Sequence, residues 1–187
     1  MFTIYFVCTG NRCRSPFAAA IMARLTAPRG VTVRSAGVLE IPGEASPSAT
    51  VAAAERFDVD LGGHVSVPLS RVNLSDADLV LGFERRHVAA AVVEGGAAPD
   101  RTFNLIELAS LLPEGGSPKG AATDPFERAR GLIAAAHRRR VQTARFVPGE
   151  EVLDPIGLPL NAHVEMAEQV QDLCKLVAEK LFDTPIG

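Results

Sequence analysis

Residues 2–16 read FTIYFVCTGNRCRSP, an apolar run followed by a polar loop and then by a proline. The run Phe2–Val7 is short and rich in β-formers, which is typical of a strand that is covered on both faces. Ser15 and Pro16 suit the N-cap and the first position of a helix. The segment therefore predicts a central strand, a loop over residues 8–15 and a helix that begins at Pro16.

The rest of the chain alternates between strand-like and helix-like patterns. Further strands are predicted at 31–34, 79–83 and 102–103, and helices at 48–57, 84–93, 106–112 and 124–140. Apolar residues at helical spacing from Val164 to Leu181 predict a last, amphipathic helix. Such alternation predicts a single α/β domain that has a parallel sheet with helices on both faces. Ligands of open α/β sheets bind at the carboxyl ends of the strands, where the loop over 8–15 lies.

This loop has the composition of an anion-binding site. Its backbone N–H groups and the positive end of the helix dipole would converge on one point, which suits a tetrahedral anion. The same field would favour the thiolate of Cys8, a nucleophile. Arg14 would present a planar fork of donors to two oxygens of the anion. The loop lacks the lysine and the second glycine of a nucleotide-binding phosphate loop, so covalent phosphoryl chemistry fits it better.

The composition limits the partners and the compartment. Among 187 residues, 19 Lys and Arg face 22 Asp and Glu, which gives a formal charge of −3. No long basic tract stands out, so nucleic acid is not expected as a partner. No apolar stretch approaches the roughly 20 residues of a membrane span, so no membrane is expected either. Three cysteines without a CxxC motif or paired histidines predict a cytoplasmic protein with a free thiol and no metal site.

Several motifs together resemble the low-molecular-weight protein tyrosine phosphatase family of bacterial type. They are Cys8-x5-Arg14-Ser15-Pro16 with Gly10 and Asn11 inside it, Ser35-Ala36-Gly37, His64, Asp78-Leu79-Val80-Leu81 and Asp154-Pro155. The resemblance implies a four-stranded parallel sheet in the order 2-1-3-4, with the phosphatase loop after strand 1. It implies one domain over residues 1–187, with an atypical insertion around 113–150.

The resemblance also implies roles for individual residues. Cys8 would attack phosphorus, Arg14 would hold the phosphoryl oxygens, and Asp154 would protonate the leaving group and then activate water. The other residues of the loop would bind the substrate: Thr9, Gly10, Asn11, Arg12, Cys13 and Ser15. Ser35 and His64 would support the loop through Asn11, a residue type that tolerates a left-handed backbone. No cofactor and no metal is implied.

Three points stay open at the level of the sequence. Asp124 also precedes a proline and competes with Asp154 as the acid, although an N-cap explains Asp124 fully. Ile156 stands where many tyrosine-specific members carry an aromatic side chain, so the substrate stays open between a phosphotyrosine protein, phosphoarginine and a small phosphomonoester. Cys13 is either a redox partner of Cys8 or inert packing.

Two other functions compete with a phosphatase. An arsenate reductase would share the loop, because arsenate has the shape of phosphate, but residues 80–95 contain no cysteine for a redox relay and an external thiol would be needed. A non-catalytic module would use the anion-binding loop only to bind an anion or a partner protein, and the presence of Asp154 argues against this function. We therefore predict a cysteine-dependent phosphomonoester hydrolase, with a protein-tyrosine phosphatase as the first choice.

Overall fold

The computed structural model describes residues 1–113, 124–143 and 151–183. Within these ranges a parallel sheet contains β1 (Phe2–Cys8), β2 (Val31–Gly37), β3 (Leu79–Gly82) and β4 (Thr102–Asn104). The strand order is β2-β1-β3-β4, which confirms the predicted topology. Because β1 lies between two parallel neighbours, the sheet holds its last residue, Cys8, at the carboxyl edge, opposite Gly37 of β2.

Six helices in the described ranges connect and cover the strands. They are α1 (Arg14–Thr26), α2 (Ser48–Glu55), α3 (Arg85–Val93), α4 (Leu105–Leu111), α5 (Pro125–Thr143) and α6 (Leu160–Phe182). α1 begins at Arg14 and has Cys13 at its N-cap, so the prediction that Ser15 caps a helix starting at Pro16 is wrong. The Ser15 hydroxyl instead lies 3.0 Å from the sulfur of Cys8.

Both faces of the sheet are covered, as predicted. Successive side chains of a strand point to opposite sides. Ile4 and Phe6 pack in the core that includes α1 and α6, whereas Tyr5 and Val7 pack with residues of α3. Each fully buried side chain of this size contributes about 1.5–3 kcal/mol relative to an exposed one. This two-sided burial fixes the register of β1, and with it the position of Cys8.

The predicted insertion at 113–150 lies partly outside the described residues. The structure describes Pro113 and residues 124–143 of it, which include α5. Asp124 caps α5 as predicted, because Phe126 N donates to Asp124 Oδ1 at 3.0 Å. The ring of Phe126 lies 5.7 Å from that of Phe2, so α5 extends the core beside β1. In the described part of the chain, every helix is too short or too polar to cross a bilayer.

Candidate active site

The loop between β1 and α1 folds around the sulfur of Cys8. Asn11 N donates to Cys8 Sγ at 3.2 Å, and Ser15 Oγ lies 3.0 Å from the same atom. The Cys8 side chain is buried, and the loop leads directly into the first turn of α1. Hydrogen bonds to a sulfur stabilise its ionised form, both when it attacks and when it leaves.

Asn11 ties the loop to its surroundings. Its φ of 52° is in the left-handed region, which Asn adopts more readily than most residues. Asn11 Nδ2 donates to Ser15 Oγ at 2.9 Å and to Ser35 Oγ at 2.8 Å. Val67 N donates to Asn11 Oδ1 at 2.9 Å, and His64 Nε2 donates to the carbonyl oxygen of Asn11 at 2.7 Å. The structure thus brings Ser35 and His64 onto the loop through Asn11.

Gly37 lets the loop approach the end of β2. A Cβ atom at this position would lie 2.7 Å from Asn11 N and 2.7 Å from the carbonyl carbon of Gly10, closer than real Cβ contacts. The backbone of the loop therefore rests directly on the backbone at Gly37, opposite Cys8 in the sheet.

Replacing Gly37 with alanine is expected to push the loop out of position. A displacement of about 1 Å is enough to lower kcat/KM by roughly 10- to 100-fold, and overpacking costs about 1–3 kcal/mol of unfolding free energy. Gly131→Ala is the matched control, because a Cβ there, on α5, meets nothing within 4 Å. Steady-state kinetics and urea unfolding check this prediction. Equal activity in the two variants would contradict it.

Arg14 is buried, and both of its terminal nitrogens have fixed contacts. Nη1 donates to Glu84 Oε1 at 2.5 Å and to the carbonyl oxygen of Val152 at 3.0 Å. Nη2 donates to Asp154 Oδ2 at 2.5 Å and to Thr9 Oγ1 at 3.0 Å. Nε is buried without a partner among the described residues. Held in this way, Arg14 offers Nε and Nη2 to an anion at the loop, while Nη1 stays bound to the protein.

Asp154 reaches the site from the irregular segment before α6. Its carboxylate is 29% exposed, and Oδ1 accepts a hydrogen bond from Ile156 N at 3.3 Å. Oδ2, on Arg14 Nη2, occupies the place where an anionic oxygen would meet the guanidinium. Asp154 and Cys8 line the same pocket, whereas Asp124 is engaged as the cap of α5. Of the two aspartates that precede a proline, the structure brings Asp154 to the loop.

Glu84 completes the surroundings of Arg14, although the sequence did not single it out. Its Oε2 lies 2.7 Å from Arg86 Nε, so one carboxylate bridges the buried Arg14 and the exposed Arg86. Burial alone would raise the pKa of Glu84, but hydrogen bonds from Arg86 and Arg14 hold the pKa below its ordinary value. Glu84 therefore remains ionised and fixes the orientation of Arg14 through Nη1.

His87 is a second residue that the sequence did not single out. It is buried in the first turn of α3, where Phe83 N and Glu84 N donate to Nδ1 at 3.3 and 3.1 Å. Its Nε2 lies 3.1 Å from Thr9 Oγ1. Burial, helped by the charge of Arg14, lowers the pKa of His87 to about 4, so the ring is neutral at pH 7.

The depressed pKa of His87 makes stability depend on pH. The unfolded chain protonates this histidine near pH 6.5, and the folded protein only near pH 4. Neutral His87 therefore makes its full contribution to the free energy of unfolding above about pH 6.5. This contribution, on the order of 3 kcal/mol, is lost as the pH falls to about 4. Urea unfolding of the wild type and of His87→Asn across this range checks the prediction. The variant should lack this part of the decline, and parallel curves would contradict it.

The pocket at the loop has an aliphatic wall. Besides Asp154, three residues from outside the loop line it: Leu39, Ile41 and Ile156. Leu39 is 49% exposed and Ile156 is 48% exposed, so both present apolar surface at the mouth. The aromatic residue of α1, Phe17, is fully buried against Phe57 in the core. The loop residues on the pocket surface are Cys8, Thr9, Gly10, Arg12, Cys13 and Arg14.

Arg12 and Cys13 both have partners outside the loop. Arg12 Nε donates to the carbonyl oxygen of Ala45 at 2.8 Å, and Nη2 lies 3.9 Å from Glu44 Oε2, which offsets its charge. Cys13 Sγ accepts a hydrogen bond from Thr50 Oγ1 at 3.0 Å. Burial raises the pKa of Cys13 to about 12, although the Thr50 hydroxyl opposes the rise. A thiol that stays protonated is a slow partner in disulfide exchange.

Comparisons with known proteins point to the same chemistry. The family model for low molecular weight phosphotyrosine protein phosphatases matches residues 3–145. The protein-arginine-phosphatase of Bacillus subtilis (strain 168) is 40% identical over 181 residues, 95% of either chain. The low molecular weight protein-tyrosine-phosphatase Wzb of Salmonella typhi is 29% identical over 142 residues, which cover 76% of this chain and 89% of Wzb.

A solved structure extends the similarity to the three-dimensional fold. The YwlE arginine phosphatase, solved as a mutant with a phosphorylated active-site serine, matches with a TM-score of 0.66 and 25% identity. The match covers 96% of this chain and 95% of that chain. With the loop, the sheet order and the family model in agreement, this chain belongs to the low molecular weight phosphotyrosine protein phosphatase family and is a phosphatase.

Proposed function

We propose that the chain hydrolyses phosphorylated side chains of proteins through a phosphoryl intermediate on Cys8. The observation that carries the proposal is the convergence of the Cys8 sulfur, the Arg14 guanidinium and the Asp154 carboxylate on one pocket. Phosphoryl transfer has a loose transition state, so catalysis needs positioning and neutralisation of charge more than further covalent chemistry. A nucleophile, a fixed cation and an acid meet these needs.

In the first step, the thiolate of Cys8 attacks phosphorus. The S–P bond forms while the bond between phosphorus and the leaving oxygen or nitrogen breaks, and Asp154 gives its proton to that leaving atom. Arg14 Nε and Nη2 hold two phosphoryl oxygens. The incoming phosphoryl group therefore displaces the Asp154 carboxylate from Nη2, and the freed carboxylate takes up a proton from solvent, which is the proton it gives to the leaving atom.

In the second step, Asp154 acts as a base. It takes a proton from water, the new O–P bond forms, and the S–P bond breaks. The departing thiolate regains the hydrogen bond from Asn11 N and the contact with Ser15 Oγ. Glu84 keeps Arg14 in place through both steps, because its carboxylate binds Nη1, which faces away from the substrate in this scheme.

We infer that phosphoarginine is the preferred substrate and that phosphotyrosine is the second candidate. The aliphatic wall of Leu39, Ile41 and Ile156 suits the methylene stem of an arginine, whereas a phenol ring gains most from aromatic neighbours. The 40% identity to a protein-arginine-phosphatase supports the same choice. Phosphotyrosine stays in consideration because the family model and Wzb are named for that activity.

Phosphate release from paired peptides tests the proposal. The peptides share one sequence and carry either phosphoarginine or phosphotyrosine, and Cys8→Ser, purified in the same way, measures contaminating phosphatase. We expect release from both, with kcat/KM about tenfold higher for phosphoarginine. A higher value for phosphotyrosine would reverse the choice of substrate. No release from either peptide would overturn the proposed function.

We also propose that the enzyme works in the cytoplasm and that residues 1–187 form one phosphatase domain with an insertion around 113–150. In the described residues, Cys8, Cys13 and Cys174 are all free thiols, and a reducing compartment would keep them so.

A further inference from the structure

The hydroxyl of Thr9 is surrounded by hydrogen-bond donors. Arg14 Nη2 lies 3.0 Å from Thr9 Oγ1, and Arg86 Nη2 lies 3.1 Å from it. A guanidinium has five N–H groups and no acceptor, so both arginines donate to Thr9. Neither of them takes the proton of the hydroxyl.

His87 also donates to Thr9, because its other ring nitrogen is already an acceptor. Phe83 N and Glu84 N both point their protons at His87 Nδ1, so Nδ1 carries no hydrogen. The ring is neutral at pH 7, and its one proton is then on Nε2, which lies 3.1 Å from Thr9 Oγ1. The two backbone N–H groups just before α3 thus fix the tautomer of His87 that carries its proton on Nε2.

A hydroxyl oxygen has two lone pairs, which these three donors share, so the proton of the Thr9 hydroxyl points away from all of them. Among the residues that the structure describes, no acceptor for this proton is recorded, and Thr9 lines the pocket beside Cys8 and Arg14. Asp154 Oδ2, at 2.5 Å from Arg14 Nη2, makes no hydrogen bond with Thr9 Oγ1, but both oxygens contact this same nitrogen. An anionic oxygen that replaces Asp154 on Arg14 Nη2 therefore enters beside the Thr9 hydroxyl.

We propose that the Thr9 hydroxyl donates to the phosphoryl oxygen held by Arg14 Nη2, and that His87 is the positioning residue that orients this hydroxyl. The inference rests on the proposed function and adds a side-chain donor to the backbone N–H groups of the loop. A donor of this kind stabilises charge in the transition state without reorganisation, since its direction is fixed before the substrate arrives.

Thr9→Val and Thr9→Ser separate the hydroxyl from the shape of the side chain. Calorimetric titration with tungstate, a tetrahedral oxyanion, measures binding without turnover, and hydrolysis of p-nitrophenyl phosphate measures catalysis. Thr9→Val is expected to lose about 10- to 100-fold in tungstate affinity and in kcat/KM, and Thr9→Ser less than about threefold. Thr102→Val is the control, because it removes a hydroxyl of β4 that donates to the carbonyl oxygen of Ala98, away from the pocket.

His87→Leu tests the positioning role in two backgrounds. It is expected to lower tungstate affinity severalfold when Thr9 is present and to have little further effect in Thr9→Val, because both changes remove the same directed proton. Equal losses in the two backgrounds would refute the role of His87.

The proposed role of the Thr9 hydroxyl is refuted if Thr9→Val binds tungstate like the wild type. It is also refuted if Thr9→Ser or Thr102→Val loses as much tungstate affinity as Thr9→Val. The binding measurement also separates the two proposals. If the wild type released no phosphate but the variants showed these differences in tungstate affinity, the proposed function would fail and the Thr9 donor would stand.

Discussion

Replacing Cys8 with serine is expected to lower phosphate release from p-nitrophenyl phosphate by at least about 10⁴-fold while tungstate still binds. A serine hydroxyl is not ionised at neutral pH. The groups around the sulfur are the Asn11 amide and the Ser15 hydroxyl, neither of which is a base that could activate it. The oxyanion site depends on Arg14 and the loop amides, which the substitution leaves in place.

Measuring both phosphate release and tungstate binding of Cys8→Ser distinguishes the loss of the nucleophile from the loss of the loop. Loss of turnover with retained tungstate binding places the defect in the nucleophile. Loss of both would mean that the loop has collapsed, and retained turnover would exclude Cys8 as the nucleophile. Cys174→Ser is the matched control, since this buried thiol lies on α6, packed against α1 near the carbonyl of Ala18, and is expected to change stability rather than turnover.

Asp154→Asn is expected to lower kcat for phenyl phosphate by about 10²- to 10³-fold, the usual contribution of a general acid. For a leaving group as acidic as p-nitrophenol the loss in the first step should be much smaller, because little proton transfer is needed. KM should stay constant or fall. Asp154 Oδ2 occupies Arg14 Nη2 in the free protein, and an uncharged amide competes less with the incoming anion.

Asp124→Asn is the matched control for this prediction. Asp124 also precedes a proline, but it caps α5, and asparagine caps a helix about as well as aspartate. Its effect on kcat is therefore expected to be within about twofold for either leaving group. A larger loss in Asp124→Asn than in Asp154→Asn would show that the acid has been assigned to the wrong residue.

The sequence predicted the parts of the site that are close together in the chain. The apolar run of β1 placed Cys8 directly after a buried strand, and alternating elements predicted a parallel sheet with helices on both faces. The choice of Asp154 over Asp124 and the strand order came from the resemblance to a family. Asn11, with its left-handed backbone, contacts both Ser35 and His64, the two residues to which the resemblance assigned support of the loop.

The sequence did not predict the contacts that depend on neighbouring strands. Glu84 and His87 follow β3, and they reach Arg14 and Thr9 only because β3 lies next to β1 in the sheet. In the chain, the ERRH segment is typical of the start of an exposed helix. The error at Ser15 has a similar origin. A serine near a helix start can bind a free N–H group or another partner, and here the partner is the sulfur of Cys8.

Chemical trapping of the intermediate tests the central claim most directly. Asp154→Asn is mixed with p-nitrophenyl phosphate, which needs little acid in the first step, so the phosphoryl enzyme should accumulate before the base-dependent second step. After an acid quench, trypsin releases residues 1–12, MFTIYFVCTGNR, in which Cys8 is the only cysteine. We predict that this peptide carries one phosphoryl group on Cys8. Hydrolysis that proceeds with this peptide unmodified, or with the phosphoryl group on another residue, would contradict the mechanism.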